Sequence, residues 1–129
     1  LWNSEDVVRV FASLFQQGDR FKYMDLPASH YATYPYDAVY QNGNFVGFSL
    51  YPVYTSNFRR WISLALVDES VGEPGTELSV LWGEPNGGTA KPAVERHVQT
   101  EMRATVAPCP ISDDARENYR PHKLPFQAA

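Results

Sequence analysis

The 129-residue sequence contains one cysteine, no long apolar run and no cluster of basic residues. Cys109 alone cannot form an internal disulfide, which is typical of a reducing compartment, and we expect a cytoplasmic protein. Charged residues interrupt every apolar run well before the ~20 residues that a membrane-spanning helix requires. The net charge of −4 comes without the stripe of lysine and arginine that binding to phosphates requires. We therefore expect neither a membrane nor a nucleic-acid partner.

The chain also lacks an initiator methionine and a recognisable signal peptide, since it begins Leu1-Trp2-Asn3. We expect it to be a domain cut from a longer protein. What it does contain is 43% hydrophobic and 14% aromatic residues, a composition that argues against intrinsic disorder. A chain of this length is sufficient for one domain that buries roughly two-thirds of its unfolded surface.

One helix is predicted, over residues 3–17. Asn3 or Ser4 can cap its N-terminus, acidic residues follow in the first turn, and Gly18 ends it. An apolar stripe recurs at helical spacing and is typical of packing against a core. It consists of Val7, Val10, Phe11, Leu14 and Phe15.

From residue 36 onward the apolar pattern has a period of two, which predicts β-strands. Residues 36–41 and 44–51 flank Asn42-Gly43, a strong signal for a hairpin with a type I′ turn. Residues 61–67 form a continuous apolar run, which predicts a strand buried on both sides. Residues 76–82 alternate again and predict a further strand.

The segment after the glycine-rich loop is ambiguous. Val94, Val98 and Met102 are spaced four apart, which suits a helix face, but all three are even-numbered, which also suits a strand. Because β-branched residues continue the alternation, we favour a strand over residues 97–107.

These elements predict a mainly β fold with one N-terminal helix (α+β), in the form of a small antiparallel β-barrel of about six strands. A doubly wound α/β fold would need helices between the strands, and the connectors are too short for that. We divide the single domain into an N-terminal helix (1–20), a barrel (21–110) and an extended C-terminal tail (111–129).

The residues do not form a recognisable catalytic or metal site. The glycine-rich segment 83–91 misses the P-loop pattern because two residues separate its last glycine from the lysine, and a mobile turn is the simpler interpretation. His30, His97 and His122 lack the local spacing of zinc ligands. Cys109 lies between two prolines without the basic neighbours that activate a thiol, and the carboxylates fit a solvated surface.

The most unusual local feature is the density of aromatic residues. Such side chains suit a flat aromatic ligand or an interdomain face, because they combine apolar area with a polar group. Packing in a strand-rich core explains them equally well. The run consists of Phe21, Tyr23, Tyr31, Tyr34, Tyr36, Tyr40, Phe45, Phe48, Tyr51, Tyr54, Phe58 and Trp61.

Several stretches resemble the C-terminal barrel domain of the glycine cleavage T-protein (aminomethyltransferase) family. The general pattern lies in Gly47, Tyr54-Thr55-Ser56, residues 62–67 and Gly75-Thr76-Glu77. A more specific set is similar to a branch of that family, the tetrahydrofolate-dependent aromatic O-demethylases of the vanillate/3-O-methylgallate/syringate type. This set consists of residues 80–88, Lys91-Pro92, residues 94–97 and residues 103–106, with residues 1–7 and 22–27 fitting the same branch.

The resemblance implies that a methyl or aminomethyl group passes to tetrahydrofolate in a cavity built mainly by preceding, larger domains. Those domains would also hold the catalytic residues. This chain would then have no catalytic residue and no metal, and it would bind no cofactor alone. Its partners would be the preceding N-terminal domains of the same polypeptide and, through them, a methylated small-molecule donor such as a methoxy-aromatic compound.

The best candidate for an interdomain or ligand-facing surface is the loop 54–60. It combines two cations, hydrogen-bonding groups and aromatic rings at a strand end, where loops commonly carry recognition. An ordinary basic turn explains it equally well, because surface cations are commonplace. The candidate residues are Tyr54, Ser56, Asn57, Arg59 and Arg60.

Our leading hypothesis is therefore the C-terminal barrel domain of a tetrahydrofolate-dependent methyltransferase or O-demethylase, with a structural and interdomain role. The alternative is a free-standing barrel that binds a small aromatic ligand. A third hypothesis is an autonomous hydrolase that uses Cys109.

Overall fold

A computed structural model of the chain describes residues 1–28, 36–88 and 94–118. Five antiparallel strands form one curled sheet in the order β3-β2-β1-β4-β5, which makes a half-barrel. The predicted fold class, mainly β with one N-terminal helix, is confirmed. The elements are α1 (Ser4–Ser13), β1 (Tyr36–Gln41), β2 (Asn44–Thr55), β3 (Arg60–Val67), a 3₁₀ turn (Glu69–Val71), β4 (Glu77–Trp82), β5 (Thr100–Thr105) and α2 (Asp113–Glu117).

The predicted hairpin joins β1 and β2 through Asn42 and Gly43. Their φ values of 50° and 79° are the positive values that a type I′ turn requires, so the hairpin is confirmed. Gly47, further along β2, allows β3 to approach closely. A Cβ there would lie 2.0 Å from the carbonyl oxygen of Leu66, and φ is 154°, so only glycine fits.

Helix α1 is shorter than predicted, because it ends at Ser13 instead of residue 17. The Ser13 hydroxyl donates to the Val10 carbonyl and accepts from the Phe21 N–H, which ties the chain to the next segment. Val10 is fully buried, whereas Phe15 is 89% exposed and does not belong to the packed stripe. The Asn3 side chain caps the helix by accepting from Glu5 N–H, as predicted.

Strand β3 differs from its prediction in burial. It forms an edge of the sheet, and Leu64 and Leu66 are 56% and 70% exposed, so the prediction of burial on both sides is wrong. A continuous apolar run does not distinguish a core strand from an edge strand with an apolar outer face. The ambiguous segment does form a strand, but a shorter one than predicted, β5.

The C-terminal segment also differs in its described part. Helix α2, capped by the Ser112 side chain, lies where an extended tail was predicted, and residues 119–129 are outside the described residues. Neither helix in the described ranges is long and apolar enough to cross a membrane. The proposed division into residues 1–20, 21–110 and 111–129 stays a prediction.

The core is organised around Trp2, which connects the two edges of the sheet. Its N–H donates to the Trp61 carbonyl of β3 (3.0 Å), and its backbone forms an antiparallel bridge with Ala104 of β5. The Trp2 ring contacts Trp61 and Trp82 with centroid distances of 6.5 and 5.7 Å. The indole N–H donates to the Ser63 hydroxyl, so the buried polar atom of this ring has a partner.

A second anchor joins α1 to β5. Arg103 donates from its guanidinium to both carboxylate oxygens of Asp6 (3.0 and 2.9 Å) and from its backbone N–H to one of them (2.8 Å). The hydrogen bonds from Arg103 hold the pKa of Asp6 below its usual value. The exposed Glu5 contacts the same guanidinium at 3.3 Å.

We predict that Asp6→Asn destabilises the fold by about 2 kcal/mol at pH 7, because it removes charge-assisted bonds at a buried carboxylate. The lowered pKa makes this contribution complete above about pH 4, the ordinary carboxyl pKa, and progressively lost as the pH falls through the folded-state pKa. Urea unfolding at pH 7 and at low pH measures both effects. Glu5→Gln is the matched control and should cost less than about 0.5 kcal/mol; equal losses in the two variants would contradict the anchor.

Candidate functional site

The concave side of the half-barrel contains a groove of about 710 Å³. One wall is β3 from Ile62 to Val67, the other is the chain from Ala104 to Ile111, and inner side chains such as Val80 form the floor. The lining is predominantly apolar. A volume of this size lies in the range of small-molecule sites in proteins.

Two serine hydroxyls in the groove are bonded to each other. The Ser49 hydroxyl donates to the Ser63 hydroxyl (2.7 Å), which also accepts from the Trp2 indole N–H (3.0 Å). The groove therefore presents a mainly apolar surface, and its two serine hydroxyls are already engaged.

Cys109, the nucleophile of the third hypothesis, is exposed at the rim of the groove. His97 is buried, and its two ring nitrogens contact the backbone N–H of Glu84 and the carbonyl of Glu95. A Cys–His pair is thus not formed in the described parts of the chain, where His97 is the one histidine. Those parts also contain no group of three or more residues suited to hold a metal ion.

The loop 54–60 forms the tip of the β2–β3 hairpin. Tyr54 and Thr55 end β2, Arg60 begins β3, and the intervening turn includes Arg59 in the left-handed region at φ 51°. The Tyr54 N–H donates to the Pro27 carbonyl, which fixes the base of the tip.

The five residues predicted for this tip are brought together, and all five are exposed. Neither Arg59 nor Arg60 forms a salt bridge with another described residue, so both guanidinium charges are available there. Whether the tip faces another domain or a ligand stays a prediction.

Aromatic side chains form a patch on the outer face of the sheet. Tyr36 contacts Phe48, Phe48 contacts Phe45, and Phe45 contacts Tyr40, each edge to face, with centroid distances of 6.4, 5.1 and 6.0 Å. Phe45 and Phe48 are 52% and 45% exposed, and Leu66 lies directly opposite Phe48 on β3. We call this set, with Leu64, the outer patch. Contiguous apolar surface of this kind is typical of a contact site.

The aromatic residues of the sequence therefore occupy different places in the fold. Trp61 is buried in the core, whereas four others form the outer patch and Tyr54 and Phe58 belong to the exposed hairpin tip. Tyr31 and Tyr34 are outside the described residues.

The glycine-rich stretch after β4 surrounds a buried polar cluster that sequence reasoning missed. Lys22 is 1% exposed; its Nζ lies 2.8 Å from Oε1 of Glu84 and 4.8 Å from the centroid of the Trp82 ring. The Trp82 indole N–H donates to the Lys22 carbonyl (2.8 Å). Glu84 also lies against His97, with 3.0 Å between its Oε2 and Nε2 of the ring.

Two glycines are required by the packing around His97. A Cβ on Gly87 would lie 2.8 Å from the His97 carbonyl, and one on Gly88 would lie 2.8 Å from Val94, and both residues have positive φ. The Gly87 carbonyl accepts from the His97 N–H. The segment up to Gly88 is thus held in place by contacts with His97 and Val94, whereas the sequence predicted only a mobile turn. Residues 89–93 are outside the described residues.

Sequence comparison with known proteins gives evidence about the family that does not depend on the structure. The chain is 48% identical over 117 residues to syringate O-demethylase of Sphingobium sp. (strain NBRC 103272 / SYK-6), an alignment that covers 91% of the chain and 25% of that protein. It is 34% identical to sesamin methylene transferase of Sinomonas sp. (strain No.22), covering 92% of the chain and 26% of that protein. Over these residues the chain is similar to both proteins.

The sequence resemblance to O-demethylases is thereby confirmed. The chain spans about a quarter of the length of the two curated relatives. No family model matches the chain. The specific stretch 80–88 that carried the resemblance is the one that surrounds the Lys22–Glu84–His97 cluster.

We predict that Lys22→Met lowers the free energy of unfolding by about 3 kcal/mol, because it leaves the partly buried Glu84 carboxylate without the cation at 2.8 Å. Methionine keeps the length and apolar character of the side chain. Arg20→Met, at an exposed cation two residues away, is the matched control and should cost less than about 0.5 kcal/mol. Denaturant unfolding measures both, and a small loss in Lys22→Met would show that the cluster is dispensable.

Proposed function

We propose that this chain is the C-terminal barrel domain of a longer, tetrahydrofolate-dependent one-carbon transferase or O-demethylase, with a structural and interdomain role. The observation that carries the proposal is the 48% identity across most of the chain to a syringate O-demethylase of which the chain spans a quarter. The whole enzyme would move a methyl group from a methoxy-aromatic donor to tetrahydrofolate. Because this chain contains a single cysteine, we expect the enzyme to be cytoplasmic.

The chemistry of the reaction supports a location of the reacting groups in the preceding domains. Cleavage of an aryl methyl ether needs an acid or an electrostatic partner at the departing oxygen. In the described residues of the groove, the serine hydroxyls bond to each other and to Trp2. The partly buried acid Glu84 is engaged by Lys22 and does not line the groove.

The groove does not suit tetrahydrofolate. A pterin ring carries several hydrogen-bonding groups and the glutamate tail carries carboxylates, whereas the groove lining is predominantly apolar and its inner hydroxyls are engaged. At the hairpin tip, Arg59 and Arg60 carry charges that match carboxylates and form no salt bridge with another described residue. Any contribution of this chain to folate binding would come from that tip, and most of the site from the preceding domains.

Two surfaces would contact those domains: the hairpin tip and the outer patch. The outer patch exposes phenylalanine and leucine side chains that a domain normally covers. The remaining three-quarters of the relatives' length is the natural source of the covering surface.

A second candidate is a free-standing module that binds a small aromatic ligand in the groove. The apolar lining and the volume of about 710 Å³ favour it. In that case the chain alone would bind the ligand.

We predict that the full-length polypeptide demethylates syringate only when tetrahydrofolate is supplied, and that the 129-residue chain has no such activity. Product formation by liquid chromatography measures the first expectation. The same assay on the 129-residue chain measures the second. Calorimetric titration of that chain with syringate and with tetrahydrofolate measures binding, and we expect no saturable binding. Micromolar binding of syringate to the chain alone would support the free-standing module instead.

We also predict that Phe48→Ser combined with Leu66→Ser destabilises the barrel within the full-length polypeptide by about 3 kcal/mol, because two buried apolar contacts with the preceding domains are lost. In the 129-residue chain, where both side chains are exposed, the loss should stay below about 1 kcal/mol. Val8→Ser, at a 64% exposed residue of α1, is the control in both proteins. Equal losses in the two proteins would exclude the outer patch as an interdomain surface.

A further inference from the structure

The sequence contains two Asn-Gly pairs, Asn42-Gly43 and Asn86-Gly87, and the fold places them in different surroundings. Asparagine is a chemically labile residue, and it is most labile before glycine, because no side chain hinders the glycine nitrogen when it attacks the asparagine amide carbon. The attack needs access to water, a glycine nitrogen that can lose its proton and an amide group that is free to turn towards it. The two pairs differ in these conditions.

The first pair forms the tip of the β1–β2 hairpin. Asn42 and Gly43 are both exposed, and the last paired residues of the two strands, Gln41 and Asn44, flank them. Within the described residues, neither the Gly43 N–H nor the Asn42 side chain forms a hydrogen bond. The Gly43 nitrogen can therefore lose its proton to hydroxide, and the Asn42 amide can rotate towards it.

The second pair has the same two residues but is held by hydrogen bonds. The Gly87 N–H donates to the Glu84 carbonyl (3.1 Å), and Oδ1 of Asn86 accepts from the Gly88 N–H (3.2 Å). Gly87 also lies against His97, where even a Cβ would come within 2.8 Å of the carbonyl oxygen. Attack at this pair therefore requires both bonds to break and the segment to move away from His97.

We propose that Asn42 is a site of spontaneous deamidation and that the fold protects Asn86 from the same reaction. After losing its proton, the Gly43 nitrogen forms a bond to Cγ of Asn42. The Cγ–Nδ2 bond then breaks, and the amide nitrogen takes up the proton and leaves as ammonia, which gives a cyclic imide. One water molecule opens the imide at either carbonyl and yields aspartate or isoaspartate at position 42. The reaction requires water alone as co-reactant.

The two products have different effects on the hairpin. Aspartate keeps the length of the backbone and tolerates the left-handed conformation of Asn42, which has a φ of 50°. Isoaspartate adds a methylene carbon to the main chain of a two-residue turn, and that turn sets the register of β1 against β2. The nearest contacts are the pair Gln41–Asn44 and the edge-to-face pair Tyr40–Phe45. Isoaspartate therefore loosens the end of the outer patch next to the turn.

Ageing of the folded protein measures the selectivity. The full-length polypeptide and the 129-residue chain are incubated at mildly alkaline pH, digested with trypsin and analysed by mass spectrometry with fragmentation, since trypsin separates the two pairs into peptides 23–59 and 61–96. We expect Asn42 to deamidate at least roughly tenfold faster than Asn86 in both proteins, because two hydrogen bonds must break before the second pair reacts. Equal rates in either protein, or faster reaction at Asn86, would overturn the proposal.

Ageing in concentrated urea is the control for the effect of the neighbouring residues. In the unfolded chain both Asn-Gly pairs are exposed to water and neither is held by the bonds of the fold, so the two deamidation rates should become similar. The folded protein alone should therefore show the preference for Asn42. A preference of the same size in urea would show that the local sequence selects the site, and the proposed protection by the fold would then be wrong.

A matched pair of variants tests the effect on the hairpin. Asn42→Gly removes the reactive amide and keeps a Gly-Gly turn of the same type, whereas Asn86→Ser removes the other amide and keeps an oxygen acceptor for the Gly88 N–H. After ageing, hydrogen exchange at the Asn44 amide should become faster in proportion to the isoaspartate content in the original chain and in Asn86→Ser, and should stay unchanged in Asn42→Gly. Equal acceleration in Asn42→Gly, or unchanged exchange while isoaspartate accumulates, would contradict the proposal.

Discussion

The structure depends on the closure of one end of the sheet by Trp2. Its backbone joins β3 to β5, and its indole lies between Trp61 and Trp82 with its N–H satisfied by Ser63. Because these bonds connect two edges that would otherwise diverge, they set the curl of the sheet and the position of the groove. Beyond Trp2 the edges separate, and the interior becomes accessible along the seam. The fold is thus a barrel at one end and an open sheet at the other.

The distribution of polar and apolar groups fits a domain that functions within a larger protein. Lys22, Glu84 and His97 form an interior cluster, while phenylalanine and leucine side chains occupy the outer face of the sheet. A buried ion pair contributes little net stability but strongly disfavours any arrangement that separates its partners. The cluster therefore fixes the glycine-rich segment against the N-terminal part of the chain. The outer patch, by contrast, is stabilising only when another surface covers it.

Much of the fold followed from short-range patterns. The Asn42-Gly43 turn, the alternation in β4 and the cap at Asn3 each depend on neighbouring residues, and each was predicted. The features that were not predicted depend on long-range contacts. No local pattern indicates that Lys22 meets Glu84, 62 residues away, or that Leu66 lies on an edge strand. One signal was not used: the glutamate and several glycines in the most family-specific stretch are compatible with a constrained segment, whereas we predicted a mobile turn there.

The central claim is that this chain is one part of an enzyme whose reacting groups lie elsewhere. Complementation between separate polypeptides measures this most directly: the remainder of the full-length protein, lacking residues 1–129, is titrated with this chain while demethylation of syringate is followed. We expect the remainder alone to be inactive or strongly impaired, and activity to rise saturably to a one-to-one ratio as the chain is added. Full activity of the remainder alone, unchanged by the chain, would contradict the account.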